Sequence, residues 1–320
     1  MFFKKMMLWM IFITILIAVS SNSWFVFWLS MEMNLMSFIP IMNNNTIKNC
    51  YSMVIYFIIQ SFSSSLFFLT SFQYSLNSSL IFMILINLAI LIKLAMIPFH
   101  FWIMMIANSL NFNTLFILLS FQKIIPLFII SKFFYAPLIM LIIISTLLSS
   151  MAALNLKQIN KLLILSSISH QGWMMCLIFK KINFWIIYLI IYSMIIYSII
   201  KTSAKYKLNL MENNILSKMN TDEKLSFISN FLSLGGMPPF LGFFAKIMSI
   251  YMLMKSSFTL IVFLIISSLI NLFFYLSILT PLFFIFIKFL KNSKINFHSK
   301  TIFINLNYML LIFLINFILY

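Results

Sequence analysis

The chain has 320 residues, of which 63% are hydrophobic and 8% are charged, and its mean hydropathy is +1.11. This composition excludes a soluble globular domain and is typical of a polytopic membrane protein. The formal net charge of +17 comes from 21 basic residues, all of them lysine, against four acids. In a membrane chain such a charge does not require a nucleic-acid partner.

Apolar stretches long enough to cross about 30 Å of hydrocarbon recur along the whole chain. In chain order they cover 6–21, 24–42, 50–72, 79–105, 112–131, 135–153, 160–179, 183–201, 225–250, 257–287 and 302–320. The sequence therefore predicts an all-α polytopic membrane protein with about eleven transmembrane helices. These helices would form a single membrane domain, residues 1–320.

The lysines in the connectors predict how the chain is oriented. If successive stretches cross in alternate directions, most connector lysines fall on the side that holds the N-terminus. The other side receives only Lys132, Lys180, Lys181 and Lys255. The positive-inside rule places the lysine-rich side in the compartment where the chain is synthesised. Lysine without arginine, together with abundant Phe, Met, Ile and Asn, is also typical of the A+T-rich genes of organelles.

Two of the predicted helices contain residues that interrupt helices. They are the stretch 79–105, with Pro98, and the stretch 225–250, with Gly235, Gly236, Pro238 and Pro239. Proline removes a backbone donor and clashes with the preceding turn, so both helices should be broken. Backbone groups freed inside a membrane need protein or a wet cavity as partners. The breaks therefore predict a polar interior.

The two interrupted helices are the fourth and the ninth in the predicted order. Repeats of five crossings insert in opposite orientations, and paired broken helices are typical of inverted-repeat transporters. We therefore expect a first five-helix repeat over 6–131, a second, inverted repeat over 135–287 and an extra C-terminal helix over 302–320. The alternative is that Pro and Gly are simply frequent in transmembrane helices.

Four ionisable residues lie within apolar stretches: Glu32, Lys93, Lys123 and, less centrally, Lys246. A charge at the bilayer centre costs at least about 2.5 kcal/mol, so such residues usually belong to an ion or proton pathway. We expect Glu32 and Lys93 to lie within about 4–8 Å of each other, because an isolated buried charge is costly. The alternatives are an inert Glu–Lys pair that sets helix register and, for Lys246, a side chain that snorkels to the surface.

The histidines are weaker candidates. His170 lies among serines in 166–173, where hydroxyls and bridging waters can carry protons. Its alternative is a structural residue held by hydrogen bonds. His100 follows Pro98 and is expected to pack or to line an access route, and His298 is expected to be solvated.

Motifs for redox or nucleotide chemistry are missing from the sequence. It has no G-x-G-x-x-G fingerprint, no Walker loop and no cysteine cluster, since Cys50 and Cys176 stand apart. We therefore expect this chain to bind no cofactor and no metal.

Five segments carry motifs of a known family. They are 28–40 (WLSMEMNLMSFIP), 93–102 (KLAMIPFHFW), 122–126 (QKIIP), 166–173 (SSISHQGW) and 233–239 (SLGGMPP), which is followed by Lys246. In this order they resemble the signature of the mitochondrial NADH–ubiquinone oxidoreductase chain 2 family. The chain departs from that pattern at Ile55, Met105 and Asn160, where the family usually has a lysine, an acid and an arginine.

The resemblance implies a membrane-arm subunit of respiratory complex I, the proton-translocating NADH:ubiquinone reductase. It implies the mitochondrial inner membrane, with the N-terminus on the matrix side and the C-terminus on the intermembrane side. By motif position Glu32 would pair with Lys93, Lys123 would pass protons along the central axis, and Lys246 would face the outlet or a neighbouring subunit. NADH, FMN, iron–sulfur clusters and ubiquinone would belong to other subunits. The implied partners are membrane-arm subunits and phospholipids, cardiolipin among them, and no nucleic acid.

Three hypotheses follow from these observations. The first is a proton-translocating subunit of complex I, the second a free-standing cation/proton antiporter, and the third a structural membrane scaffold. A lysine at position 246, where a self-contained cation exchanger would place an acid, favours the first over the second. The scaffold hypothesis requires that transport is unchanged when Glu32 is neutralised.

Overall fold

The computed structural model describes residues 2–43, 46–134, 136–206, 219, 221–238, 240–254 and 258–292, with only the backbone from 281 onwards. No β-strand occurs among these residues. The α-helices are α1 (Phe2–Ser20), α2 (Trp24–Met42), α3 (Ile47–Leu76), α4 (Leu80–Leu94), α5 (Phe101–Ile106), α6 (Phe112–Leu119), α7 (Phe121–Lys132), α8 (Ile139–Ala153), α9 (Ile159–Phe179), α10 (Phe184–Tyr206), α11 (Thr221–Gly235), α12 (Leu241–Leu253) and α13 (Phe258–Asn292).

Helices of membrane-spanning length and apolarity dominate the described part of the chain. Seven helical runs there qualify: Phe2–Ser20, Trp24–Met42, Ile47–Leu76, Phe112–Lys132, Ile159–Phe179, Phe184–Tyr206 and Phe258–Thr280. Shorter apolar helices overlap predicted spans, at Leu80–Leu94, Ile139–Ala153 and Leu241–Leu253. The predicted all-α, multi-pass membrane class is confirmed. The count of eleven and the inverted repeats stay predictions, and the predicted helix 302–320 lies outside the described residues.

The third helix shows how polar side chains are arranged in the interior. On α3, Ser52, Tyr56, Gln60 and Ser64 recur every fourth residue and are all buried. Residues four apart share one face of a helix. Several large apolar side chains of α3, such as Phe62, are exposed instead. This inside-out pattern suits a helix that has lipid on one face and polar protein interior on the other.

The helices group into two compact units. The first unit comprises Met1–Ser145 and Ile178–Lys181, and the second comprises Thr146–Leu177 and Ile182–Tyr320.

In the first unit α1 packs against α2, α2 against α3, and α3 against α4. Lys4 Nζ donates to the Asn43 carbonyl at 2.6 Å and so ties the start of α1 to the end of α2. A cation is favourable at a helix C-terminus, where carbonyls lack partners. The Trp24 ring stacks on Phe133 with 3.8 Å between centroids, which joins the start of α2 to the end of α7. Three of the predicted charges lie on the helices of this unit: Glu32 on α2, Lys93 on α4 and Lys123 on α7.

In the second unit α9 is the most buried helix, and 94% of its most apolar 18-residue stretch is inside the protein. Helices α10, α11, α12 and α13 pack against one another. Asn271 Nδ2 on α13 donates to Ser169 Oγ on α9 at 2.6 Å, and both side chains are buried. The serine-rich face of α9 thus meets polar partners inside the unit.

Candidate functional site

The first break separates α4 from α5. Ala95 ends α4 in the left-handed conformation, with φ 55°, and the peptide bond before Pro98 is cis. The Trp102 indole donates to the Ile92 carbonyl at 3.2 Å and so satisfies a backbone group near the break. The predicted stretch 79–105 is therefore two helices, and Lys93 lies in the last turn of α4.

Glu32 and Lys93 meet α3 at neighbouring positions of its polar stripe. Glu32 on α2 accepts a hydrogen bond from the Ser64 hydroxyl, and Lys93 Nζ donates to the Gln60 carbonyl at 3.4 Å. The Glu32 carboxylate interacts electrostatically with the Lys93 ammonium. The two are not in direct salt-bridge contact, and each of them forms a hydrogen bond with α3.

Lys123 lies in the first turn of α7, just after a distortion of the predicted helix 112–131. Ser120 separates α6 from α7 with φ −113° and ψ −77°, and its hydroxyl donates to the Phe116 carbonyl at 2.6 Å. Pro126 follows within α7 and removes the N–H that would bond to the carbonyl four residues earlier. Lys123 is only 5% exposed, so its ammonium is inside the protein.

A cavity of about 30 Å³ lies between these groups and is called here the lysine cavity. Both Lys93 and Lys123 line it, together with polar side chains that include Asn34, Tyr56, Gln60 and Gln122. A water needs roughly 10–15 Å³ measured in this way, so the space suits about two waters with several polar partners. The arrangement can therefore connect the two lysines through water.

The second break separates α11 from α12. Gly236 follows α11 with φ +79°, and Pro238 lies in the connector, while Pro239 lies outside the described residues. Lys246 Nζ donates to the Gly235 carbonyl at 2.8 Å, and Lys246 is 5% exposed. Its ammonium therefore caps the end of α11 and does not reach the surface.

Glycines make this close contact possible. A Cβ on Gly236 would lie 2.8 Å from the Lys246 Nζ, and the positive φ also disfavours any other residue. A Cβ on Gly242, in α12, would collide with the Ser233 carbonyl oxygen of α11. The second break is thus a tightly packed turn around one buried lysine.

His170 lies in the buried middle of α9. Its Nδ1 is 2.9 Å from the Tyr188 hydroxyl, and its ring centroid is 5.0 Å from that of Tyr192. A small cavity of about 10 Å³ adjoins these side chains. The hydrogen bond between His170 and Tyr188 is equally compatible with a structural role for His170 and with a role in a proton relay. His100 stands at the start of α5, and His298 lies outside the described residues.

An ion pair lies at the ends of the long connector between α10 and α11. Lys205 Nζ is 2.5 Å from Glu223 Oε1, and the Tyr206 hydroxyl also donates to Glu223. Partial burial acts to raise the pKa of Glu223, but the hydrogen bonds from Lys205 and Tyr206 outweigh it and hold the pKa below its ordinary value. Within the described residues, no three His, Cys, Asp or Glu side chains cluster as a metal site.

Sequence reasoning missed several polar residues of the lysine cavity. Tyr56 and Gln60 belong to the buried stripe of α3, and their four-residue spacing within the stretch 50–72 was the available signal. Asn34 and Gln122 stand inside recognised motifs, but nothing local indicates that they meet.

Residues 21–271 match the family described as NADH:quinone oxidoreductase/Mrp antiporter, TM. NADH-ubiquinone oxidoreductase chain 2 of Rhipicephalus sanguineus is 56% identical over 315 residues, which cover 97% of this chain and 99% of that protein.

Among solved structures the fold is shared with two large assemblies. Respiratory complex I from Thermus thermophilus with bound aureothin contains a chain with a TM-score of 0.78 at 18% identity, covering 87% of this chain and 70% of that one. The Mrp complex from Dietzia sp. DQ12-45-1b contains one with a TM-score of 0.76 at 14% identity, covering 86% of this chain and 59% of that one. At these identities the likeness concerns the fold alone.

Proposed function

The chain belongs to the NADH-ubiquinone oxidoreductase chain 2 family, and we propose that it is a membrane-arm subunit of respiratory complex I that takes part in proton translocation. The translocation is coupled to electron transfer from NADH to ubiquinone. The resemblance read from the motifs of the sequence is confirmed by the 56% identity to a chain 2 protein over nearly full length.

The observation that supports this function best is the lysine cavity. The buried Lys123 and the half-buried Lys93 line one polar cavity of about 30 Å³, and the Glu32 carboxylate interacts electrostatically with Lys93. Keeping such groups inside a membrane costs free energy, so the ionisable residues found there usually serve a function. An inert pair would need no water-sized space between two cations.

We propose that the proton moves through this cavity in two steps. When the Glu32 carboxylate is close, Coulomb attraction favours the charged form of Lys93. When a change elsewhere in the complex weakens that attraction, Lys93 releases its proton through cavity water towards Lys123. Lys246 and His170 are proposed members of the path in the second unit.

The redox cofactors are proposed to belong to other subunits. The sequence offers no glycine-rich nucleotide loop and no cysteine cluster to hold NADH, FMN or iron–sulfur clusters. The proposed partners are the other membrane-arm subunits and phospholipids such as cardiolipin. The proposed location is the mitochondrial inner membrane, with the N-terminus in the matrix and the C-terminus facing the intermembrane space. The proposed architecture is two inverted five-helix repeats.

The test replaces Lys123 by Met, which roughly preserves side-chain volume and removes the charge. In assembled enzyme reconstituted into liposomes, Lys123→Met should lower the ratio of protons pumped to electrons transferred. Lys132→Met is the matched control, because Lys132 is an exposed residue at the end of the same helix. Normal pumping by fully assembled Lys123→Met enzyme would reject the relay and support the scaffold hypothesis. Cation-driven proton exchange by the isolated chain would support the antiporter hypothesis.

A further inference from the structure

One wall of the lysine cavity is formed by two amides that bind each other. Asn34 Nδ2 donates to Gln122 Oε1 at 3.0 Å, and Gln122 Nε2 donates back to Asn34 Oδ1 at 3.1 Å. The Tyr56 hydroxyl donates to the same Gln122 oxygen at 3.4 Å. Asn34 and Gln122 are called here the amide pair. All three side chains line the cavity that lies between Lys93 and Lys123.

The hydrogen-bonding capacity of these groups determines what they offer to water. Each amide has two N–H donors and two acceptor lone pairs, and the reciprocal pair uses one of each from both side chains. With Tyr56 as a second donor, the Gln122 oxygen is saturated. What remains is one N–H on each amide and one lone pair on Asn34. The amide pair itself therefore presents two donors against one acceptor, and it holds a neighbouring water mainly through the water oxygen.

Such a wall sets the direction in which cavity water can donate. A water that accepts from an amide N–H turns its own hydrogens away from the wall, towards other acceptors in the cavity. Amides do not ionise, so the pair itself does not carry the proton. Its effect on the lysines is exerted through the orientation of the water.

The amide pair also joins the elements that carry the charges. Asn34 follows Glu32 by two positions on α2, and Gln122 directly precedes Lys123 at the start of α7. Asn34 is only 4% exposed, and a buried amide that loses its partner is costly. The pair therefore holds the first turn of α7 at a set distance from α2.

We infer that the amide pair, with Tyr56, is a positioning element that orients the water between Lys93 and Lys123 for proton transfer. The inference rests on the proposed proton pathway. It adds three residues, none of them ionised, whose geometry determines how fast the proton crosses the cavity.

The experiment exchanges the two amides. Gln122→Asn alone shortens one side chain by a methylene and separates the pair, whereas Asn34→Gln combined with Gln122→Asn restores the combined length. We expect the single variant to slow proton-coupled turnover about fivefold, the equivalent of one hydrogen bond of about 1 kcal/mol. Its solvent deuterium isotope effect should rise, because proton transfer becomes more rate-limiting. The double variant should recover most of the rate and the normal isotope effect.

Both quantities are measured on NADH oxidation and pumping by assembled enzyme in liposomes. Asn87→Ala is the control, because Asn87 is a buried amide of the same unit that donates to the Met83 and Phe133 carbonyls and lies outside the cavity lining. A purely structural effect would lower the yield of assembled enzyme in both Gln122→Asn and Asn87→Ala, and it would leave the isotope effect of both variants unchanged.

An unchanged rate and isotope effect in assembled Gln122→Asn enzyme overturns the inference, and so does a double variant that assembles without recovery. If Gln122→Asn does not assemble, Tyr56→Phe removes a single hydroxyl and tests the same point. An unchanged isotope effect there also overturns it. If Lys123→Met loses pumping but Gln122→Asn pumps normally, this inference alone is rejected. If Lys123→Met pumps normally, the proposed function is rejected.

Discussion

Both broken helices carry a lysine, but the two lysines are held in different ways. In the first unit Lys93 reaches away from its own break to the Gln60 carbonyl of α3 and lines a cavity. In the second unit Lys246 turns back onto its own break and donates to the Gly235 carbonyl at 2.8 Å.

The difference depends on which group satisfies the backbone near each break. At the first break the Ile92 carbonyl accepts both the Ala95 N–H at 3.1 Å and the Trp102 indole at 3.2 Å, and Lys93 donates to α3 instead. At the second break the lysine itself supplies the donor. A lysine that caps a helix end also stabilises the structure, whereas a lysine with an acid in electrostatic range and space for water contributes mainly to proton exchange.

The largest effect should come from closing the space between α11 and α12. Gly242→Ala places a Cβ against the Ser233 carbonyl oxygen, while a Cβ on Gly235 would make ordinary contacts of 3.5 Å. We expect Gly242→Ala to destabilise the protein by about 3 kcal/mol, the upper range for overpacking. Gly235→Ala should cost less than about 1 kcal/mol. Thermal denaturation of the purified enzyme measures both, and equal stability of the two variants would show that the second break is not tightly packed.

The next effect separates the two lysines directly. Lys246→Met should lower stability by about 2 kcal/mol, because it leaves buried carbonyls without their charged donor. Lys93→Met should lower stability less than Lys246→Met does, because the bond of Lys93 to α3 is long and Glu32 keeps the Ser64 hydroxyl as a donor. It should nevertheless reduce the proton-to-electron ratio. Denaturation and pumping are measured on the same preparations. The comparison breaks if Lys93→Met costs as much stability as Lys246→Met.

The smallest effect concerns a solvent-accessible charge pair at the end of α10 and the start of α11. The folded-state pKa of Glu223 lies below its unfolded value of about 4.3. The ion pair with Lys205 therefore contributes stability above that pH, and the contribution is lost as the pH falls through the folded-state pKa. Glu223→Gln should be slightly less stable than the parent near neutral pH and equal to it in strong acid. Denaturation across pH measures this, and a difference that persists in acid would contradict an ionic origin.

The membrane class and the positions of both interruptions could be predicted because their causes are local. A proline or a glycine pair disturbs the helix in which it stands, whatever surrounds it. A charge inside an apolar stretch, such as Glu32 or Lys123, is conspicuous for the same reason. The break at Ser120 was not predicted, because serine is common in helices and its hydroxyl turns back onto the Phe116 carbonyl only in the folded chain.

The walls of the lysine cavity depend on residues that are distant in sequence. Asn34 and Gln122 are separated by 88 positions, and no periodicity or spacing pairs them. Gln60 contributes its backbone carbonyl to Lys93, a contact that no side-chain pattern encodes.

Hydropathy and helix-breaking residues by themselves determined that this chain is a helical membrane protein with buried charges beside two breaks. Their effects act within a single turn or span, so they can be read without a fold. Only the tertiary structure decided that Lys93 faces a cavity and Lys246 caps a helix. The outcome depends on which carbonyl the packing places within reach of each ammonium: Gln60 of α3 for Lys93, and Gly235 at the end of α11 for Lys246.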